Sequence, residues 1–201
     1  MFYKRLYFLG LLVLLCGSVF ADIFDATAFQ ARYVTVMEDS KRDMLLAVDY
    51  LDGILQDGPQ NPEVLIYKGS ILAKVAPVDF WFWNKLAHVN EGIDLMARGM
   101  ELLDGEQGNT VPENRKLIMY INRGITCASI PGSFKQRDIA IHELERAKGH
   151  PYFLFVDTKT QAKVLASLSK TYRGKGDKET AEQFLQKAMA IDAVTAEKYA
   201  E

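Results

Sequence analysis

"AKVLASLSKTYRGKGDKETAEQFLQKAMAIDA", Ala162 to Ala193, is the stretch that decides the fold. Leu165, Leu168 and Tyr172 step by three and four, the spacing of one helix face. Ala181, Leu185 and Ala188 repeat that spacing beyond "GKGDKE". The pattern predicts two helices joined by a tight turn. Gly176 can take the positive φ that ends a helix and reverses the chain. Asp177 then stands where a side-chain oxygen caps the next helix. Ala181 and Ala188 are small where two helices must approach closely. Leu165, Leu168 and Leu185 fill the space between them.

Similar pairs lie upstream. "PENRKLIMYINRGITCASI" places Tyr120, Arg123, Gly124 and Cys127 at matching positions, and "RDIAIHELERA" adds Ala140, Leu144 and Ala147. "NPEVLIYKGSILAKVA" gives Leu65, Gly69 and Leu72, and "NEGIDLMARGMELLD" gives Gly92, Met96 and Gly99. The faintest copy pairs "ATAFQARYVTVMED" with "MLLAVDYLDGILQDGP", which carries Ala47, Leu51, Ile54 and Pro59. Internal repetition on this scale is the mark of a helical array. Leu165, Leu168, Ser169, Tyr172, Gly176, Ala181, Leu185 and Ala188 resemble a tetratricopeptide repeat, with Ala193 where that family usually ends on proline. The expected fold is all-α, a tetratricopeptide-like α-solenoid of about four antiparallel helix pairs; an irregular helical bundle is the rival. "PYFLFVDT", Pro151–Thr158, is the only strand-like run, and its place between helical segments makes it a connecting turn or helix start.

The first residues read as a leader rather than fold. Lys4 and Arg5 precede an apolar run from Leu6 to Leu15, and Val19 and Ala21 are small residues at an exit site. A signal peptide over 1–21 and a repeat domain over 22–201 are expected, so the protein would be periplasmic or secreted. The apolar run is short for a membrane span, which needs about 20 residues. Membrane association would come only from an uncleaved leader or a lipid anchor at Cys16. Leu15 argues against the anchor, because bacterial lipoproteins carry a small residue before the cysteine. Loss of Lys4 and Arg5 takes the net charge from −2 to about −4. No basic patch points to nucleic acid. Cys127 would then be the only cysteine, so no intramolecular disulfide can form and a buried core position is expected.

Nothing in the chain spells out a reaction. "HELER", His142–Arg146, lacks the second histidine of a zinc-protease helix and reads as a solvated face. "GKGDKET" lacks the spacing of a phosphate loop. No serine elbow or Cys–His pair is visible. The expectation is a non-enzyme with no cofactor and no metal.

Binding remains. The resemblance implies a protein-interaction scaffold whose first helices line a concave groove for a protein or peptide. Its wall would include Glu63, Ile66, Tyr67 and Ser70, then Ile118, Ile121, Asn122 and Ile125, then Lys163, Ser167, Lys170 and Arg173. Asn122 and Lys163 match two places of a known carboxylate-gripping set in the family. Ile66, Ser70 and Ser167 do not, so that grip is not carried over. A hydrophobic segment with an acidic end would suit the groove, although some of its isoleucines could instead pack on the neighbouring pair.

"PVDFWFWNK", Pro77–Lys85, holds four consecutive aromatics and both tryptophans. Each helical residue turns by about 100°, so all four cannot face one core. The stripe Leu86, Val89, Ile93, Met96, Met100, Leu103 extends back to Phe82, which predicts a core place for Phe82. Asp79 would cap a helix beginning at Phe80. Trp81 falls on a flank, and Phe80 and Trp83 on the outward face, unless neighbouring chain folds over them. Two functional classes follow: an adaptor that uses the groove, or an assembly subunit of an envelope or transport complex. A free apolar groove favours the first, and a large exposed apolar patch the second. A third reading, a small-molecule pocket near Trp81, is weaker in the sequence.

Overall fold

A computed structural model describes residues 25–36 and 40–200. The expected leader, 1–21, and Cys16 lie outside the described residues. Those residues form nine α-helices and no strand. The helices are α1 (Ala26–Val36), α2 (Lys41–Asp57), α3 (Pro62–Val75), α4 (Phe82–Asp104), α5 (Glu113–Ser129), α6 (Arg137–Lys148), α7 (Thr158–Lys175), α8 (Lys178–Ile191) and α9 (Ala193–Ala200). The "PYFLFVDT" run becomes a connector, with a 3-10 turn at Phe153–Phe155.

Local chemistry explains most helix ends. Asn61 accepts from the backbone N–H groups of Glu63 and Val64 at 3.1 and 3.2 Å, with Pro62 in the first turn where its missing N–H costs nothing. Asp157 and Asp177 cap α7 and α8 by accepting from Thr160 and Thr180. Gly176 takes φ 91°, the left-handed conformation expected of it. "DAVTAEKYA" forms α9, which packs on both α7 and α8.

Packing follows the small residues. α3 and α4 lie so close that a Cβ on Gly69 would sit 2.5 Å from the Gly92 carbonyl oxygen, and one on Gly92 would sit 2.6 Å from the Gly69 oxygen. Further along, a Cβ on Gly99 would meet Ile66 at 2.7 Å. Between α5 and α6, Gly124 admits Leu144. Between α7 and α8, Ala181 and Ala188 are fully covered, as are Leu165 and Leu168. Phe184 takes the buried place expected for Leu185, which is only half-buried. The first helices also meet in series, α3 on α5 and α5 on α7, while α2 packs on α3 and α6 on α7.

Two carboxylates are buried, one expected on a solvated face and one expected in a groove wall. Glu143 of "HELER" is covered and ion-paired with Arg123 at 2.8 Å, although its neighbour His142 is exposed. Glu63 is covered too and forms a two-armed pair with Arg115, joining α3 to α5. Cys127 is buried as expected, and burial pushes its thiol up to about 12.

Gly92→Ala places a methyl group against the α3 backbone, which cannot rotate away as a side chain can. It is expected to lower stability by about 1–3 kcal/mol. Urea denaturation of the variant beside the wild type measures the loss.

Candidate docking surface

The chain leaves α3 at Val75, turns through Ala76–Val78 and enters α4 at Phe82, two residues later than expected. Trp81 holds the cap position of α4 and offers no side-chain cap. Asp79 does not cap a helix at Phe80. It accepts from the Trp81 backbone N–H at 3.2 Å and receives Lys41 at 2.9 Å and His88 at 3.4 Å. The Asp79 carboxylate is buried, so it ties this connection to the start of α2 and the second turn of α4. The Lys41 ammonium holds the carboxyl pKa well below the usual value, down to about 2, against an opposing effect of burial.

That clamp turns all four aromatics outward. Phe80 is 84% exposed, Trp81 60%, Phe82 59% and Trp83 72%. They pair edge to face, Phe80 with Trp81 at 5.2 Å and Phe82 with Trp83 at 5.6 Å. Val78 extends the apolar surface. The expectation of a core place for Phe82 is therefore corrected. The stripe is buried or half-buried from Val89 to Leu103, whereas Phe82 in the first turn stays exposed among the described residues. Gly92 lies against Gly69 and Ala73, and α3 ends only two residues further, at Val75. The beginning of α4 runs past that end. Trp81 is not covered on its flank, whereas Phe80 and Trp83 stand outward as expected.

The groove residues fare differently. Tyr67 is fully buried, against Tyr33 at 4.8 Å and Phe29 at 5.0 Å, and burial pushes its hydroxyl up. α1 supplies both of those rings and covers the face that the groove reading left open. Tyr67 is thus corrected from a partner contact to a core residue, with Glu63, Ile66 and Ser70 beside it. Asn122 and Ile125 are half-buried, and the Asn122 amide nitrogen is buried without a hydrogen-bond partner. Lys163 lies over the Tyr199 ring of α9, with its ammonium 4.5 Å from the ring centre. Lys170 and Arg173 are exposed, and Arg173 donates to the Ala200 carbonyl at 3.3 Å. The structure thus gathers Phe80, Trp81 and Trp83 into one surface together with Phe82. It does not open a continuous groove through Tyr67.

Other exposed apolar residues escaped the sequence reading. Leu154 and Phe155 stand out from the Phe153–Phe155 turn. An apolar run between helices hides which of its residues point inward; Phe153 is buried and Val156 packs partly against the core. No described helix is long and apolar enough to cross a membrane. Among the described residues, no group of three His, Cys, Asp or Glu side chains could hold a metal ion.

No family model, curated protein or solved structure matches this chain.

Because the folded-state pKa of Asp79 is depressed from 3.8 to about 2, its contribution is present above pH 3.8 and is lost as pH falls through about 2. A carboxyl-detected NMR titration should find Asp79 still ionised at pH 3. Lys41→Ala should move its midpoint back up toward 3.8.

Proposed function

We propose that this chain is a non-catalytic, exported interaction protein of tetratricopeptide-like architecture, an assembly subunit that docks on a protein partner through the aromatic ridge Val78–Trp83. The observation that carries this reading is four consecutive aromatics, each more than half exposed, on a connection clamped by Asp79. Contiguous exposed apolar surface of this kind marks interaction sites on folded proteins. Aromatic side chains, tryptophan and tyrosine above all, are enriched among the residues that dominate interface energies. The groove reading has less support, because α1 already occupies the face around Tyr67.

Magnitudes say what such a ridge can do. Complete burial of a large apolar side chain contributes about 1.5–3 kcal/mol, so four contribute on the order of 6–12 kcal/mol. Association itself costs about 4–15 kcal/mol in lost freedom. The ridge alone therefore supports at most a modest complex. A stable one needs a partner cleft that accepts the rings and also contacts the flanks, where Lys74 and Lys85 stand.

The test separates docking from packing. The double variant Phe80→Ser, Trp83→Ser should keep the thermal midpoint within a few degrees, because both side chains are mostly in water. A photocrosslinker at position 83, used in intact cells, should trap one stoichiometric partner, and the same probe placed in the Phe80→Ser background should not. Unfolding of the double variant would show that the aromatics are structural and would end the docking reading.

A further inference from the structure

A second feature shares no residue with the aromatic ridge. The C-terminal ends of α5, α7 and α9 meet the Ile130–Gly132 connection and the first residue of α6 around a cavity of about 370 Å³. Small-ligand sites range from about 300 to 1,000 Å³. Ile130 and Ala200 give it apolar wall. The Ser129 and Thr171 hydroxyls are spent on the carbonyls of Thr126 and Ser167. Three cations, Arg137, Lys170 and Arg173, line the same space. None of them pairs with a carboxylate among the described residues, although Lys175, one turn away on α7, does pair with Asp138.

Cations at helix C-termini have an ordinary explanation, since they offset the negative end of the helix dipole. Here that explanation falls short in magnitude. Each helix end carries about −0.5 of a charge, so three ends carry about −1.5 against three full positive charges. Part of this effect is already met directly, where Arg173 donates to the Ala200 carbonyl. A positive excess remains inside the cavity.

Arg137 also runs close to two glycines. A Cβ on Gly132 would fall 2.6 Å from its Nη2, and a Cβ on Gly174 would fall 2.8 Å from its Nε. The guanidinium lies over both glycines at the surface, where Arg137, Gly132 and Gly174 are all exposed. Gly174 lies within α7, where alanine would stabilise the helix by about 1 kcal/mol, and its φ is not in the left-handed region. With glycine there, the Arg137 side chain passes close to the α7 backbone. A planar guanidinium presents a fork that fits an oxyanion with two parallel hydrogen bonds.

We propose that this cavity binds a small multivalent oxyanion, its carboxylate or phosphate groups held by Arg137, Lys170 and Arg173 and its organic body lying against Ile130 and Ala200. Such an anion is either a free small molecule or the acidic tail of a polypeptide, and both present the same chemistry. The site does not depend on the docking role of the ridge.

Calorimetric titration of the full chain at low ionic strength tests it, with citrate and glycerol 3-phosphate as probes and acetate at matched ionic strength as the control. At least one multivalent probe should bind with one-to-one stoichiometry, and acetate should not. Arg137→Gln should weaken binding tenfold or more without changing the far-ultraviolet circular dichroism. Lys170→Gln, at a second cation of the lining, should weaken binding as well. Competition by a tetrapeptide of two aspartates and two glutamates assigns the source. Displacement of the probe supports a polypeptide tail, and its retention supports a free small anion. Multivalent probes that bind no tighter than acetate would overturn the site, as would full binding in Arg137→Gln.

Discussion

The contact between α3 and α4 at Gly69 and Gly92 sets the arrangement of the rest of the molecule. Two helix backbones touch there with no side chain between them. Close approach fixes both the distance and the register, because neither helix can slide without driving a Cβ or a carbonyl into the other. Met96 and Ala73 pack beside this contact, and Cys127 and Ala140 extend the same cluster into α5 and α6. The next pair has a looser version, in which Gly124 admits the side chain of Leu144 instead of a backbone.

Fixing that register leaves one helix longer than its partner. α3 has 14 residues and α4 has 23, which at 1.5 Å per residue differ by about 13 Å in length. Part of the difference projects past the end of α3, and the chain there is aromatic. The Asp79 carboxylate, bound by Lys41 and His88, holds the connection against α2 and α4 and leaves the rings outside. An apolar ridge and a buried ionic clamp are therefore two sides of one turn. The clamp uses the acid's charge for position, and among the described residues no helix covers the rings.

Ionic contacts also tie the pairs together. Glu63 of α3 meets Arg115 of α5, and Arg146 of α6 meets Asp104 of α4. Arg123 and Glu143 join α5 to α6 under cover. Buried pairs cost desolvation and add little net stability, but removing one partner strands a charge. Their effect is to penalise other registers. Arg137, Lys170 and Arg173 around the cavity at the ends of α5, α7 and α9 are exposed and have no carboxylate partner among the described residues.

Periodicity and small-residue spacing determined that this chain is helical, where its turns fall and which faces of α7 and α8 meet. Those are local properties, written in neighbouring residues: Gly176 for the turn, Asp177 for the cap, Ala181 and Ala188 for the approach. The tertiary structure alone decided what depends on where an element stops or what arrives from far along the chain. Phe82 obeys the apolar stripe yet lies in water, because periodicity gives the face of a helix but not the end of its neighbour. Tyr67 was legible as a groove residue and is core, because α1, more than thirty residues upstream, brings Phe29 and Tyr33 over it. Arg137 carries no local signal at all. Only folding brings it, over Gly132 and Gly174, to the side of Lys170 and Arg173, because charge convergence is a property of three-dimensional distance and not of spacing along the chain.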